Sequence, residues 1–304
     1  MSKISVIVPL YNKGKYISRT LASVLQQSWD DIEVIMVDDG STDDGPSVVQ
    51  GCTDKRVRLI RQANRGPGAA RNRGIQESNS PYLTFLDADD EWHPDFLRCA
   101  LHVLNSHEIF LSDFFIGEGN QTYMNTYPEV AGPCGLFTLP YKMKPAKVKR
   151  YIDLFTQGNV VIGKQVAQRM GGYYEEGCTY GEDSFFWLKV MLNYSFFIYP
   201  KPLMRLHHDS SELSHGRKGH YPVHPFVSNH STILQFCPDK YKKLAKRVLD
   251  YYALLNVWRC LDRLDFSSAH DLMCDFPYTK RYIYQFQKAK LKRLMLSFFQ
   301  TLNN

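Results

Sequence analysis

The chain has 304 residues, of which 44% are hydrophobic and 22% charged, and a net charge of +6. That balance excludes a disordered or collagen-like chain, and no window approaches the ~18 consecutive apolar residues of a membrane span. Seven cysteines without a Cys-x-x-Cys pair argue against a disulfide framework or thiolate zinc site and for a reducing, cytoplasmic setting. The positive excess is uneven: from Phe276 onward six Lys or Arg stand without an acid. Such a run suits an anionic surface better than nucleic acid. The N-terminal apolar run, Ile4 to Leu10, is too short for a signal peptide and lacks a cleavage site.

In chain order, Ile4 to Pro9 reads as a strand stopped by proline, and Tyr11 to Gly14 as a turn. Ile17, Leu21, Val24 and Leu25 fall at helical spacing within Tyr16 to Gln27. A strand over Ile32 to Val37 runs into Asp38-Asp39-Gly40-Ser41. Pro46 to Gly51 suits a short helix, Val57 to Arg61 a strand, and Asn64 to Gly68 a turn opening a helix over Ala69 to Glu77. Tyr82 to Leu86 is apolar or β-branched, as in a strand buried on both faces, and is followed by Asp87-Ala88-Asp89-Asp90. On an extended chain Asp87 and Asp89 point the same way. Like charges that close need a cation between them, and a divalent metal with oxygen ligands serves. An acidic loop before a helix beginning at His93-Pro94 is the alternative.

Residues 110–150 look less regular, with a basic run at Lys142, Lys144, Lys147, Lys149 and Arg150 that reads as a solvated face. Asn159 to Ile162 resembles a strand, Lys164 to Met170 a short helix, and Phe185 to Met191 an aromatic core helix. Ser195 to Tyr199 and Leu203 to His207 read as two extended pieces. Beyond about residue 225 the pattern is helical, with apolar residues every three or four positions in Tyr241 to Val257 and Tyr282 to Phe299.

Strands alternating with helices imply a parallel sheet with right-handed crossovers and a ligand site beyond the carboxyl ends of its strands. The polar clusters at Tyr11-Asn12, Asp38 to Ser41, Asn64 to Gly66 and Asp87 to Asp89 all fall at such ends, which favours the metal reading. Two other motifs fail. Gly158 to Gln165 lacks the Ser or Thr of a phosphate loop, and Gly66 to Arg71 has arginine where a dinucleotide fingerprint needs its third glycine. The histidines from His207 to His230 lack a paired helix face or a thiolate and read mostly as surface residues, except His207 at a strand end. Glu182-Asp183 is either a helix N-terminal acidic pair or the source of a general base.

Taken together, Val6 to Asn12, Val37 to Asp43, Asn64 to Asn72, Asp87-Ala88-Asp89, Gly181 to Asp183 and Arg205 to His207 resemble family 2 glycosyltransferases over about residues 3–212. The resemblance implies a GT-A α/β fold: a mixed, mostly parallel central sheet flanked by helices. It divides the chain into a catalytic domain, 1–224, and a helical C-terminal region, 225–304. It implies that Pro9, Tyr11 and Asn12 wall a nucleotide pocket and that Asp39 accepts from the base, uracil in many relatives. It further implies that Arg71 reaches the nucleotide or diphosphate, that Asp87 faces the ribose and that Asp89 binds manganese or magnesium. His207 would lie on the metal or diphosphate, and Asp183 would be the general base.

The expected activity is inverting transfer of a sugar from a nucleotide-diphosphate donor, such as a UDP-sugar, to a hydroxyl of a glycan or lipid-linked acceptor. The alternatives are a non-catalytic sugar-nucleotide-binding subunit and a metal-dependent nucleotidyltransferase. The basic, amphipathic segment 279–299 suits either an anionic membrane surface or packing on the catalytic domain or on a second copy in a homo-oligomer. The expected place is cytoplasmic, including the inner face of the cell membrane.

Overall fold

The structure is a computed structural model that describes residues 4–132, 134–176, 180–207, 223–262 and 265–279. Its strands are β1 (Ile4–Leu10), β2 (Ile32–Asp38), β3 (Val57–Arg61), β4 (Tyr82–Phe85), β5 (Glu91–Trp92), β6 (Ile109–Ile116), β7 (Gly135–Phe137), β8 (Val160–Gly163) and β9 (Phe196–Leu206). The helices of the first part are α1 (Gly14–Leu25), α2 (Gly45–Gln50), α3 (Pro67–Glu77), α4 (Phe96–Leu104), α5 (Tyr123–Thr126), α6 (Pro145–Leu154), α7 (Lys164–Arg169) and α8 (Glu182–Asn193). They are followed by α9 (Pro225–Ser228), α10 (His230–Phe236), α11 (Lys242–Asp262) and α12 (Phe266–Asp275). The predicted helix over Tyr282 to Phe299 lies outside the described residues, as do His208, His215 and His220.

All strands join one sheet in the order β3-β2-β1-β4-β8-β6-β9-β5, with β7 on β9. The pairings β1·β2, β1·β4, β2·β3 and β6·β9 are parallel, whereas β8 runs antiparallel to both β4 and β6. Two reversals cancel, so β6 and β9 point the same way as β1 to β4. The carboxyl ends of all six meet at one edge, and only β5, β7 and β8 run against them. β1, β2 and β4 are buried along almost their whole length, which explains their near-continuous apolar sequences.

Several elements differ from their sequence reading. β1 runs through Pro9 to Leu10. Its pairing with β4 ends at Ile7↔Phe85 while that with β2 continues to Leu10↔Asp38. Ile7 O accepts from Leu86 N on the β4 side, and Pro9, two residues on, faces that same side where no partner strand remains. The stretch read as irregular holds β6, disguised by Ser112 and Asp113 in mid-strand; both are buried, and Asp113 Oδ1 accepts from Phe114 N at 2.8 Å and Met124 N at 3.1 Å. The basic run is mostly helix α6, one side of which buries Val148, Tyr151, Ile152 and Leu154. Lys149 there pairs with Asp153 at 2.6 Å, and Arg150 lies 3.8 Å over the Tyr127 ring. The two extended pieces after α8 are a single strand, β9. Its pairing with β6 shifts register between Ser112↔Tyr199 and Asp113↔Pro202, and this irregularity absorbs Pro200 and Pro202.

Helix α11 packs along α6, α9 and α12. His224, read as a surface residue, is buried at this junction between the rings of Tyr180, Phe226 and Tyr252. Its Nδ1 accepts from Phe226 N at 3.2 Å, and its own N–H donates to Asn256 at 3.2 Å. Burial, with Arg259 and Lys149 nearby, pushes its pKa down to about 3. It is therefore a neutral packing element. Gly158, from the rejected phosphate loop, is buried where a Cβ would lie 2.8 Å from Leu86 and Met204 side chains.

Candidate active site

The site forms where the carboxyl ends of β1, β2, β4 and β9 meet the start of α8. Beyond β1, Tyr11 is 46% exposed. Asn12 follows in the left-handed region, φ 51°. Its side chain and backbone are both bonded: Asn12 Oδ1 accepts from Thr42 N at 2.8 Å, and the Asn12 backbone N donates to Ser41 Oγ at 3.1 Å. The loops after β1 and β2 are thus tied together. Asp39, 3% exposed, accepts from Gln62 Nε2 at 2.8 Å, Arg65 N at 2.9 Å and Gly66 N at 2.8 Å. Its carboxylate therefore holds the turn that starts α3.

The residues Asp87 to Asp90 are not extended. Asp90 N donates to Asp87 O at 3.1 Å, so they form a turn, and Asp87 and Asp89 part to meet different cations. The hydrogen-bonded turn wins because β4 ends at Phe85 and no neighbouring strand holds the chain straight beyond it. Asp87 accepts from Arg71 Nη2 at 2.7 Å, whereas Asp89 Oδ2 lies 2.8 Å from Lys13 Nζ. Arg19 Nη2 also donates to Asp89 O at 2.5 Å, and Thr20 to Asp90 O at 2.8 Å. Helix α1 thus braces the turn from one side. Asp90 is buried; burial, with Asp87 and Asp89 adjacent, raises its pKa well above the ordinary carboxyl range.

Arg71 is the bridge. It projects from α3, is 4% exposed, and donates through Nη1 to Glu182 Oε1 at 2.9 Å as well as to Asp87. Its guanidinium lies 5.3 Å over the Tyr173 ring. Burial pulls its pKa down, but Asp87 and Glu182 outweigh it and the net shift is upward. Glu182 is pushed up to about 7, by burial first and by Asp183 second, with Arg71 opposing. Residues 111 apart in sequence are therefore joined, and the acidic turn after β4 and the start of α8 face one site.

Glu182 and Asp183 occupy the first turn of α8, where the helix dipole favours anions. Asp183 is half-buried, its Oδ1 accepting from Ser184 N at 2.6 Å. Gly181 caps the helix at φ 81°, and a Cβ there would lie 2.6 Å from His224 Nε2. Glycine is thus required twice over, by backbone and by space. The segment leading to α8 is fixed to α3 by Asn72, which donates to Tyr173 O at 2.9 Å and accepts from Tyr173 N at 2.8 Å. His207 follows β9 and is 4% exposed. Its N–H donates to Asp90 Oδ1 at 2.9 Å, its Nδ1 meets Glu118 at 2.7 Å, and Nε2 lies 3.4 Å from Glu91. β5 pairs with the end of β9, and this brings His207 to the acidic turn.

Sequence reasoning missed Lys13, Glu91 and Glu118. Lys13 carried a signal, as the next residue after Tyr11-Asn12; the two glutamates carried none, since only strand pairing places them. Among the described residues no three His, Cys, Asp or Glu side chains converge as a complete metal cage. Asp87 is held by Arg71, and Asp90 accepts from His207 N, so the three carboxylates of the turn do not converge on one point. Asp89 offers a hard oxygen donor of the kind a divalent ion takes alongside phosphate oxygens.

The family profile described as glycosyl transferase family 2 matches residues 5–171. The chain belongs to this family. An uncharacterized glycosyltransferase of Haemophilus influenzae is 38% identical over 133 residues, 41% of this chain and 53% of that protein. The uncharacterized glycosyltransferase YibD of Escherichia coli is 32% identical over 145 residues, 46% of this chain and 42% of that protein. The match thus spans about half or less of these relatives. Among solved structures, S. aureus TarS in complex with UDP-GlcNAc aligns with a TM-score of 0.66 at 22% identity, covering 82% of this chain and 71% of that one. Pyrobaculum calidifontis mannosyltransferase PcManGT, in complex with GDP-Man and Mn2+, aligns with a TM-score of 0.53 at 18% identity, covering 95% and 81%. The GT-A fold expected from the family is the fold observed. Among the described residues, no helix is long and apolar enough to cross a membrane.

Proposed function

We propose that the protein is an inverting glycosyltransferase that moves a sugar from a nucleotide-diphosphate donor, a UDP-sugar, to a hydroxyl of a glycan or lipid-linked acceptor. The observation that carries this reading is the Arg71 bridge, which ties the acidic turn of β4 to the helix start bearing Asp183. TarS and PcManGT, which share the fold, were solved with UDP-GlcNAc and with GDP-Man and Mn2+. The catalytic unit in this reading is residues 1–224, and residues 225–304 form a separate C-terminal region. The setting is cytoplasmic, and segment 279–299 contacts either an anionic membrane surface or another protein face.

In this reading Tyr11 presents its exposed ring to the base, between Pro9 and the Asn12-braced loop, and Asp39 closes the base pocket. Asp87, oriented by Arg71, faces the ribose. Asp183 takes the proton of the acceptor hydroxyl as that oxygen bonds to the anomeric carbon and the bond to the donor diphosphate breaks. The products are the glycosylated acceptor, with inverted anomeric configuration, and the nucleoside diphosphate. A divalent ion bound by Asp89, with His207 close by, would supply Lewis-acid neutralisation of the leaving diphosphate. A thermal-shift screen of nucleotide sugars with and without manganese tests the donor class, and a coupled assay tests the product. Release of free nucleoside diphosphate supports the reading. Release of pyrophosphate, or donor binding without any turnover over a panel of acceptors, refutes it.

A further inference from the structure

Two basic stretches far apart in sequence meet in the fold. Between Glu129 and Asp153 the chain carries five Lys or Arg and no acid, and between Asp239 and Asp250 another five and no acid. Tyr241, just before α11, donates through its hydroxyl to Leu139 O at 2.7 Å, close to the start of α6, and α6 packs along α11. Part of this charge is used internally: Lys149 pairs with Asp153, Arg150 covers the Tyr127 ring, and Lys242 holds Asp239 at 2.7 Å. Six other cations face solvent: Lys142, Lys144, Lys147, Lys243, Lys246 and Arg247, of which only Lys147 is half-buried. On α11, Lys243, Lys246 and Arg247 fall at the spacing of one helix face, while Leu244, Ala245, Val248 and Leu249 bury the other. Tyr141 stands beside the first of these lysines, 59% exposed, with its ring centre 5.5 Å from Lys142 Nζ.

We infer that the face formed by the starts of α6 and α11 docks on an anionic phospholipid bilayer. Like charges gathered on one face repel one another, and a negative surface relieves that repulsion. Five of the six are lysines, point charges that suit diffuse attraction to headgroups rather than the forked contacts by which arginine reads nucleic acid. An exposed tyrosine flanked by lysines places an apolar body and a polar tip at the boundary between headgroups and water. This face is distinct from segment 279–299. Because α6 also packs on α8, docking brings the bilayer to the side of the sheet whose helix bears Asp183, where a lipid-linked acceptor would be used. The docking itself does not rest on the sugar-transfer reading.

The test is co-sedimentation of the full chain with vesicles of phosphatidylcholine alone and of phosphatidylcholine with phosphatidylglycerol, at low and high salt. Three triple variants are compared with the wild type: Lys142→Gln with Lys144→Gln and Lys147→Gln; Lys243→Gln with Lys246→Gln and Arg247→Gln; and, as a control of equal charge change, Lys55→Gln with Arg98→Gln and Arg169→Gln. Exposed substitutions of this kind change stability little, and thermal unfolding checks that each variant is folded. The wild type should bind the anionic vesicles and not the neutral ones, more weakly at high salt. Each of the first two variants should lose on the order of 100-fold in partitioning, and the control should keep it. Full binding by both face variants assigns the attraction to another surface, segment 279–299 included, and overturns the inference. An equal loss in the control reduces the effect to net charge and does the same. Failure of the wild type to bind anionic vesicles, or tighter binding to single-stranded RNA than to them, overturns the lipid assignment. None of these readouts involves turnover, so their failure leaves the role of Asp183 standing.

Discussion

Replacing Arg71 by methionine keeps the apolar stem of the side chain and removes the guanidinium that joins Asp87 to Glu182. The two carboxylates then fare differently. The Asp87 side chain is 37% exposed, so water takes over much of its solvation and its loss is small. The Glu182 side chain is 9% exposed, and as an anion it would be left buried without its cation. Breaking one side of a buried pair costs about 3–5 kcal/mol. Glu182 has an escape, because burial already raises its pKa to about 7, and a protonated carboxyl can be buried at the cost of a lost hydrogen bond, about 1 kcal/mol. The sign of the pH dependence follows. With its folded pKa above its unfolded value, Glu182 contributes stability below about pH 4.5 and loses it as pH rises through about 7. Without Arg71, which opposes the shift, the folded pKa climbs further and the loss continues above pH 7. Urea unfolding of wild type and Arg71→Met should therefore differ by about 1 kcal/mol at pH 5 and by about 3 kcal/mol or more at pH 8. Adding Glu182→Gln to the variant should recover most of the pH 8 loss. Equal losses at both pH values, or no recovery in the double variant, would refute the buried-bridge account.

Other consequences can be checked separately. Asp183→Asn should lower turnover on the order of 10²–10⁴-fold with donor affinity unchanged, as steady-state kinetics and calorimetry would reveal; near-normal turnover removes Asp183 from the role of base. Gly181→Ala should cost about 1–2 kcal/mol from its left-handed backbone and more from the approach to His224, read as a lower midpoint in thermal unfolding together with reduced turnover. Lys189 is 3% exposed, and burial lowers its pKa to about 8. The folded state then releases this proton before the unfolded chain does, so stability should rise between about pH 8 and 10.5. Denaturant titrations of Lys189→Met should lack that rise.

The strand-end clusters were legible because strand residues buried on both faces leave a near-continuous apolar signature, and what interrupts it is turn or chemistry. Tyr11, Asn12, Asp39 and Asp87 to Asp89 were found that way, and β1, β2, β4 and β8 with them. β6 was lost because Ser112 and Asp113 break the apolar run, and the hydrogen bonds that satisfy them, to Asp113 O, Phe114 N and Met124 N, leave no periodic mark in the sequence. β9 was split because prolines argue against a continuous strand unless a register shift accommodates them. His224 looked like one more polar residue in a loop, and only the aromatic rings assembled around it make it interior.

The sequence by itself determined the alternation of strand and helix, the family, and the placement of its polar clusters at strand ends. Those features are local, set by side-chain periodicity and backbone preference over a few residues. Tertiary structure alone decided which cation meets which carboxylate: Lys13 at Asp89, Arg71 between Asp87 and Glu182, Glu118 and Glu91 around His207. Charge pairing acts over a few ångströms of space between segments as far apart in sequence as Arg71 and Glu182 or Glu91 and His207, and it depends on turn geometry and strand order that no short stretch of chain encodes.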